Sequence, residues 1–331
     1  MRSPPNRDDA PLPLPLPLPL PLPARLPGVR RRGWLLGAAM PATAALGTAG
    51  LAGCEASDAD HSGPNVPQAV AWPAGRLPPG PRRLAWVFGS GGPRGFVHVG
   101  VLKALVELGL APDLLVGTSV GALVAILHAA GLGAARIEQL ALDLQPWQFL
   151  RWNLAGPERW RGDGLADLVN QMLDHRPLQA LPLPVACAVQ RLRDGAVLGF
   201  NHGDGGLAVQ AASAIEGRMA PLTLRGERYA DADLRMPLPV RLARALGATR
   251  VLAVDASAHE DSTPPDAAAY RAADLHKRAL TRPDAARADL LLHPAIGYWA
   301  GWSRDYRERV IATGYRSTLA AATALRTLHR A

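Results

Sequence analysis

Only two cysteines, Cys54 and Cys187, occur among the 331 residues. A disulfide framework is excluded, so a folded unit must rest on an apolar core. The 48% hydrophobic content is enough for one large domain with such a core. No basic cluster with interleaved aromatics is present, which argues against a nucleic-acid partner. Residues 1–53 contain six Arg and two Asp, and without them the net charge falls from +8 to +4. That mild excess fits contact with an anionic lipid surface without demanding it. Scattered Arg in the C-terminal region reads as solvated helix surface. Apart from a strict Pro-Leu alternation over Pro11 to Pro23, which is expected to be extended polyproline II, the chain shows no internal repeat.

What is present centres on Gly117-Thr118-Ser119-Val120-Gly121. A strand-like run, Pro112 to Val116, precedes it and a helix-like run, Ala122 to His128, follows. Gly-x-Ser-x-Gly in that setting is a nucleophile elbow. The turn needs glycine because a side chain at either position would crowd it. A Ser oxygen is then exposed at a helix N-terminus, whose free N–H groups favour developing negative charge. A plain tight turn is the alternative.

About one strand-helix unit upstream, Leu84 to Phe88 reads as a buried strand. Gly89-Ser90-Gly91-Gly92-Pro93-Arg94-Gly95 follows, then an amphipathic helix from Phe96 to Leu108. Such a loop turns backbone N–H groups toward an anion. A dinucleotide fingerprint fits less well. Ser90 occupies the first glycine position, and the elbow stands where a strand ending in a ribose-binding acid should be. An oxyanion hole fits better.

A third feature is Arg228-Tyr229-Ala230-Asp231-Ala232-Asp233, followed by Pro239-Val240. With these three features in order, Leu84 to Leu328 resembles the patatin-like phospholipases, above all their small bacterial members. That family pairs a Gly-Gly-Gly-x-Arg-Gly loop with a Gly-x-Ser-x-Gly elbow and a late Asp-Gly-Gly or Asp-Gly-Ala. Gly100 to Leu105 and Ala211 to Gly217 also look like family segments. The resemblance implies a three-layer α/β/α fold with a mainly parallel central sheet. It implies a Ser119–Asp231 dyad, with Asp231 as general base and no histidine between. Gly91 and Gly92 would supply the oxyanion N–H groups, with Arg94 ordering the loop. The implied substrate is a lipid ester, with no metal or other cofactor.

Several positions depart from the pattern. Ser90 replaces the first loop glycine, and Glu216 stands where proline is usual. Ala232 replaces the glycine after the Asp; if that position needs positive φ, Ala strains it by about 1 kcal/mol. Counting back from Pro239-Val240 favours Asp231; Asp233, which reads as a solvated neighbour, is the lesser claimant. Two rivals follow: a catalytically weakened, lipid-anchored binding protein, and a Ser-His-Asp esterase using Ser119, Asp255 and His293 in the α/β-hydrolase order.

Residues 1–53 read as an export signal. Arg30-Arg31-Arg32 leads into the apolar Trp34 to Leu46, and Leu51-Ala52-Gly53-Cys54 looks like a lipobox with Cys54 acylated. Arg31-Arg32-Gly33-Trp34-Leu35 also resembles a twin-arginine signal. A retained membrane anchor is the alternative, although Pro41 interrupts it. Glu55 after the cysteine suggests the outer membrane of a bacterial envelope, with the domain facing the periplasm. Residues 54–80, polar and rich in Pro and Gly, read as a flexible tether, and 81–331 as the hydrolase domain. Expected strands are Leu84 to Phe88, Asp113 to Val116, Pro184 to Gln190, Ala196 to Asn201, Arg250 to Asp255 and Asp289 to His293. Expected helices include Phe96 to Leu108, Ala122 to Ala130, Gly164 to Asp174, Val240 to Leu246 and Asp305 to Leu328. The partners expected are a lipid ester and a membrane surface reached through Cys54.

Overall fold

The computed structural model describes residues 60–71, 84–154, 156–259, 261 and 263–330. The export signal, Cys54 and the remainder of the expected tether lie outside the described residues. In chain order the strands are β1 (Gln68–Ala71), β2 (Leu84–Phe88), β3 (Leu114–Thr118), β4 (Arg151–Trp152), β5 (Trp160–Arg161) and β6 (Val185–Arg191). Then come β7 (Val197–His202), β8 (Leu222–Leu224), β9 (Glu227–Asp231), β10 (Arg250–Val254) and β11 (Leu290–Leu292). The helices are α1 (Phe96–Glu107), α2 (Val120–Ala129), α3 (Ala134–Asp143), α4 (Pro146–Phe149) and α5 (Asp163–Met172). They continue with α6 (Gly205–Ala212), α7 (Val240–Ala245), α8 (Arg271–Ala285), α9 (Arg304–Ala320) and α10 (Ala322–Arg330).

All strands except the β4–β5 ribbon join one sheet in the order β1-β7-β6-β3-β2-β10-β11, with β9 beside β6 and β8 beside β9. The run from β6 through β3, β2 and β10 to β11 is parallel. Strands β7, β1, β9 and β8 add to it antiparallel. Side chains alternate across the pleat, and this alternation builds two cores. Leu84, Trp86 and Phe88 of β2 face the larger one, with Leu115, Cys187 and Leu252. Ala85 and Val87 face the other, with Val116, Ala186 and Ala253. Helices α1, α2 and α6 cover the first face, and α7 the second. The architecture is three-layer α/β/α with a mainly parallel sheet.

Composition alone misreads two places. Part of the segment read as a tether is folded onto the domain. The Asp60 carboxylate accepts from Gly226 N–H at 3.1 and 3.0 Å, Val66 is buried, and β1 pairs with β7. The short run Val66-Pro67-Gln68-Ala69-Val70-Ala71 suffices for an edge strand despite polar flanks. The expected single helix Asp305 to Leu328 is two, parted at Ala321, whose N–H bonds to Thr318 O at 3.1 Å in a tighter turn.

Candidate active site

Strand β6 brings the candidate residues together. One of its edges is taken by β7 at Cys187 to Gln190. On the opposite edge, β3 runs parallel to β6 and ends with Thr118 across from Ala188. There β9 runs antiparallel to β6 and ends with Asp231 across from Val189. Two strands therefore meet end to end along consecutive residues of a third. The residue after β3 is Ser119, so Ser119 and Asp231 become neighbours although 112 positions separate them.

Ser119 has φ 56° and ψ −127°, a left-handed conformation rare for a residue with a side chain. Its neighbours explain how that strain is held. A Cβ on Gly117 would lie 2.3 Å from the Gly121 carbonyl group, and one on Gly121 would lie 2.2 Å from Phe88 O. Only glycine lets strand, turn and α2 fold back this tightly, and the second contact sets the elbow against the end of β2. Phe88 and Gly117 are partners in the β2–β3 register, so the Gly-rich loop leaving β2 stands beside Ser119.

That loop is pinned at several points. Gly89 N–H donates to Val254 O at 2.9 Å and Ser90 N–H to Pro237 O at 2.8 Å. His98 Nε2–H donates to Gly89 O at 2.7 Å. Burial drops the His98 pKa to about 4, so it is a neutral brace at working pH. Arg94 Nη2 donates to Tyr298 O at 2.6 Å and stretches the loop toward the C-terminal segment. Among the described residues, neither Gly91 N–H nor Gly92 N–H bonds to a backbone carbonyl.

Asp231 is 3% exposed and Ser119 8%. Burial, then the charge of Asp233, push the Asp231 pKa up to about 7; hydrogen bonds from Ser119 and Asp233 N–H and the charge of Lys277 pull partly against them. Asp233 N–H donates to Asp231 Oδ1 at 2.9 Å and holds the carboxylate in place. A buried carboxylate of raised pKa, hydrogen-bonded to an elbow serine, is an arrangement that can pair a general base with a nucleophile.

The patatin-like phospholipase family model matches residues 86–244, a stretch that holds the loop, the elbow and Asp231. The domain belongs to the patatin-like phospholipase family. An uncharacterized NTE family protein of Mycobacterium tuberculosis is 30% identical over 191 residues, 56% of this chain and 52% of that one. Patatin-like phospholipase domain-containing protein 6 of Homo sapiens is 29% identical over 191 residues, 54% of this chain and 14% of that one. The chain therefore spans about half the length of the mycobacterial relative and a small part of the human one. VipD from Legionella pneumophila superposes with a TM-score of 0.52 at 15% identity, over 78% of this chain and 70% of VipD, a likeness of fold.

Set against the patatin-like pattern, the departures at Ala232 and Ser90 have structural answers. Ala232 opens a short 3-10 turn and is absent from the residues with positive φ. The expected strain does not arise, because the backbone there is open to any residue, and the methyl is buried in the second core. Asp233 is not a solvated neighbour. Its Oδ1 accepts from Lys277 Nζ at 2.8 Å and from the Ser90 hydroxyl. Burial works against the Asp233 charge, but the Lys277 ammonium and the two hydrogen bonds outweigh it and hold the pKa below the usual range. Sequence reasoning gave Lys277 no role; it sits on a charged helix with nothing local to mark it.

The polar groups of the triad alternative are engaged around Ser257. His293 Nε2 lies 3.0 Å from Ser257 O, and its ring stacks on His259 at 3.7 Å. Asp255 Oδ1 accepts from Ser257 N–H at 2.8 Å. Cys187 is fully buried on β6 with its thiol pushed up to about 12, so it is inert. Among the described residues no group of acids, histidines or cysteines could hold a metal ion.

Proposed function

We propose that the chain is a serine-dependent lipid acyl hydrolase working through a Ser119–Asp231 dyad. The observation that carries this reading is the meeting of β3 and β9 along β6, which seats a strained elbow serine against a buried carboxylate of raised pKa. Asp231 takes the hydroxyl proton while Ser119 Oγ attacks the ester carbonyl carbon. The carbonyl oxygen becomes an oxyanion that Gly91 and Gly92 N–H would receive. Collapse breaks the ester bond, and Asp231 returns the proton to the leaving alcohol. Water, deprotonated by Asp231, then releases the acyl group and restores Ser119. Family membership supports a lipid ester as substrate, and Cys54 acylation would hold the domain at a membrane surface of the bacterial envelope.

Ser119→Ala tests the nucleophile. A fluorophosphonate probe is expected to label wild type at Ser119 and to leave the variant unlabelled, with circular dichroism unchanged. Labelling that persists in Ser119→Ala would place the nucleophile elsewhere.

A further inference from the structure

The two loops that make the candidate site are joined by a contact outside the dyad. Ser90 lies on the Gly-rich loop and Asp233 on the turn after Asp231, 143 positions later. The Ser90 hydroxyl donates to Asp233 Oδ1, and Lys277 Nζ on α8 donates to the same oxygen at 2.8 Å. Asp233 also reaches the dyad through its backbone N–H on Asp231 Oδ1 at 2.9 Å. One residue thus joins the Gly-rich loop and a separate helix through its side chain, and the Asp231 carboxylate through its backbone N–H. None of the three is an ordinary surface pair: Lys277 and Asp233 side chains are 28% and 32% exposed, and Ser90 is 2% exposed.

The geometry points to Ser90, Asp233 and Lys277 as positioning residues, a charged bridge that clamps the oxyanion loop onto the loop bearing Asp231 and fixes their separation. This inference rests on the hydrolase reading above. Loops need such a clamp because a misplacement of about 1 Å can cost a hundredfold in rate. The bridge also sets the field at the base. The charged groups acting on Asp231 are Asp233 on its own turn and Lys277 on α8. Strand β6 faces Asp231 with Val189, the elbow with Ser119 and the segment before β8 with Ala214, all uncharged. Asp233 makes a charged Asp231 harder to form, and Lys277 offsets that.

The test combines pH–rate profiles with hydrogen–deuterium exchange on the full chain. The acidic limb of kcat/KM reports the base in the free enzyme. Lys277→Met is expected to move that limb up by about one pH unit, and Asp233→Asn to move it down. Lys277→Arg keeps the charge and should restore the wild-type limb. Ser90→Ala is expected to lower kcat/KM by about tenfold and leave the limb in place. Exchange over residues 89–95 should quicken about tenfold in Ser90→Ala and Asp233→Asn, a readout that needs no turnover. Unchanged exchange in both, or one common profile for all the variants, would overturn the bridge. If wild type hydrolyses no ester yet exchange over 89–95 responds as stated, the hydrolase reading falls and the bridge stands.

Discussion

At the residue scale, burying the Asp231 carboxylate costs stability. Asp231 binds its proton more tightly in the folded chain, with a pKa near 7 against an ordinary 3.8. Between those values the native state holds more proton than the unfolded state. Stability from this group is therefore present at low pH and is lost as pH rises toward 7 and beyond. Asp231→Asn removes the penalty while keeping the shape of the side chain. It is expected to stabilise the fold at pH 8 by on the order of 2 kcal/mol, and by little at pH 4. Thermal unfolding of both proteins at the two pH values checks this. An equal or negative shift at pH 8 would mean that Asp231 is not the buried, proton-hungry group described.

At the element scale, the fold depends on groups that local patterns do not mark. Arg307 of α9 is fully buried, yet its guanidinium is well used. It donates to the carbonyls of Ala141, Leu142 and Leu144 at 3.0, 3.1 and 2.5 Å, capping the C-terminal end of α3. Arg307→Met leaves those carbonyls buried without donors and is expected to destabilise by about 3 kcal/mol. Chemical denaturation reads the loss; a change under about 0.5 kcal/mol, the range of ordinary surface substitutions, would contradict the capping role.

The same contrast explains what the sequence makes legible. Apolar runs such as Leu84 to Phe88 and Val251 to Val254 announce central parallel strands, and the structure has them there. Glycine spacing announces the elbow, since the clashes that demand glycine are local. Strands β8 and β9 are not legible, because Arg225-Gly226 turns the chain with φ of 52° and 75° where Asn-Gly would be the usual mark. Helix α8 is hidden by charge and by Pro283 within it. Lys277 meets Asp233 only through tertiary packing, so no spacing could reveal the bridge.

At the scale of the whole molecule, the proposal joins a hydrolase domain to a membrane surface. Among the described residues no helix is long and apolar enough to cross a bilayer. The proposed attachment runs through Leu51-Ala52-Gly53-Cys54. Cys54→Ser is expected to release the protein from the membrane fraction or to stall its processing, and mass spectrometry should find the wild-type chain beginning at a lipidated Cys54. An exported protein that keeps the residues before Cys54 would refute it.

The central claim is that an aspartate, not a histidine, activates Ser119. The most direct measurement is turnover of phospholipids and short nitrophenyl esters by wild type, Asp231→Asn and His293→Ala. The account predicts that Asp231→Asn loses turnover by about a thousandfold or more while His293→Ala keeps most of it. A collapse in His293→Ala with Asp231→Asn still active, both folded, would contradict it.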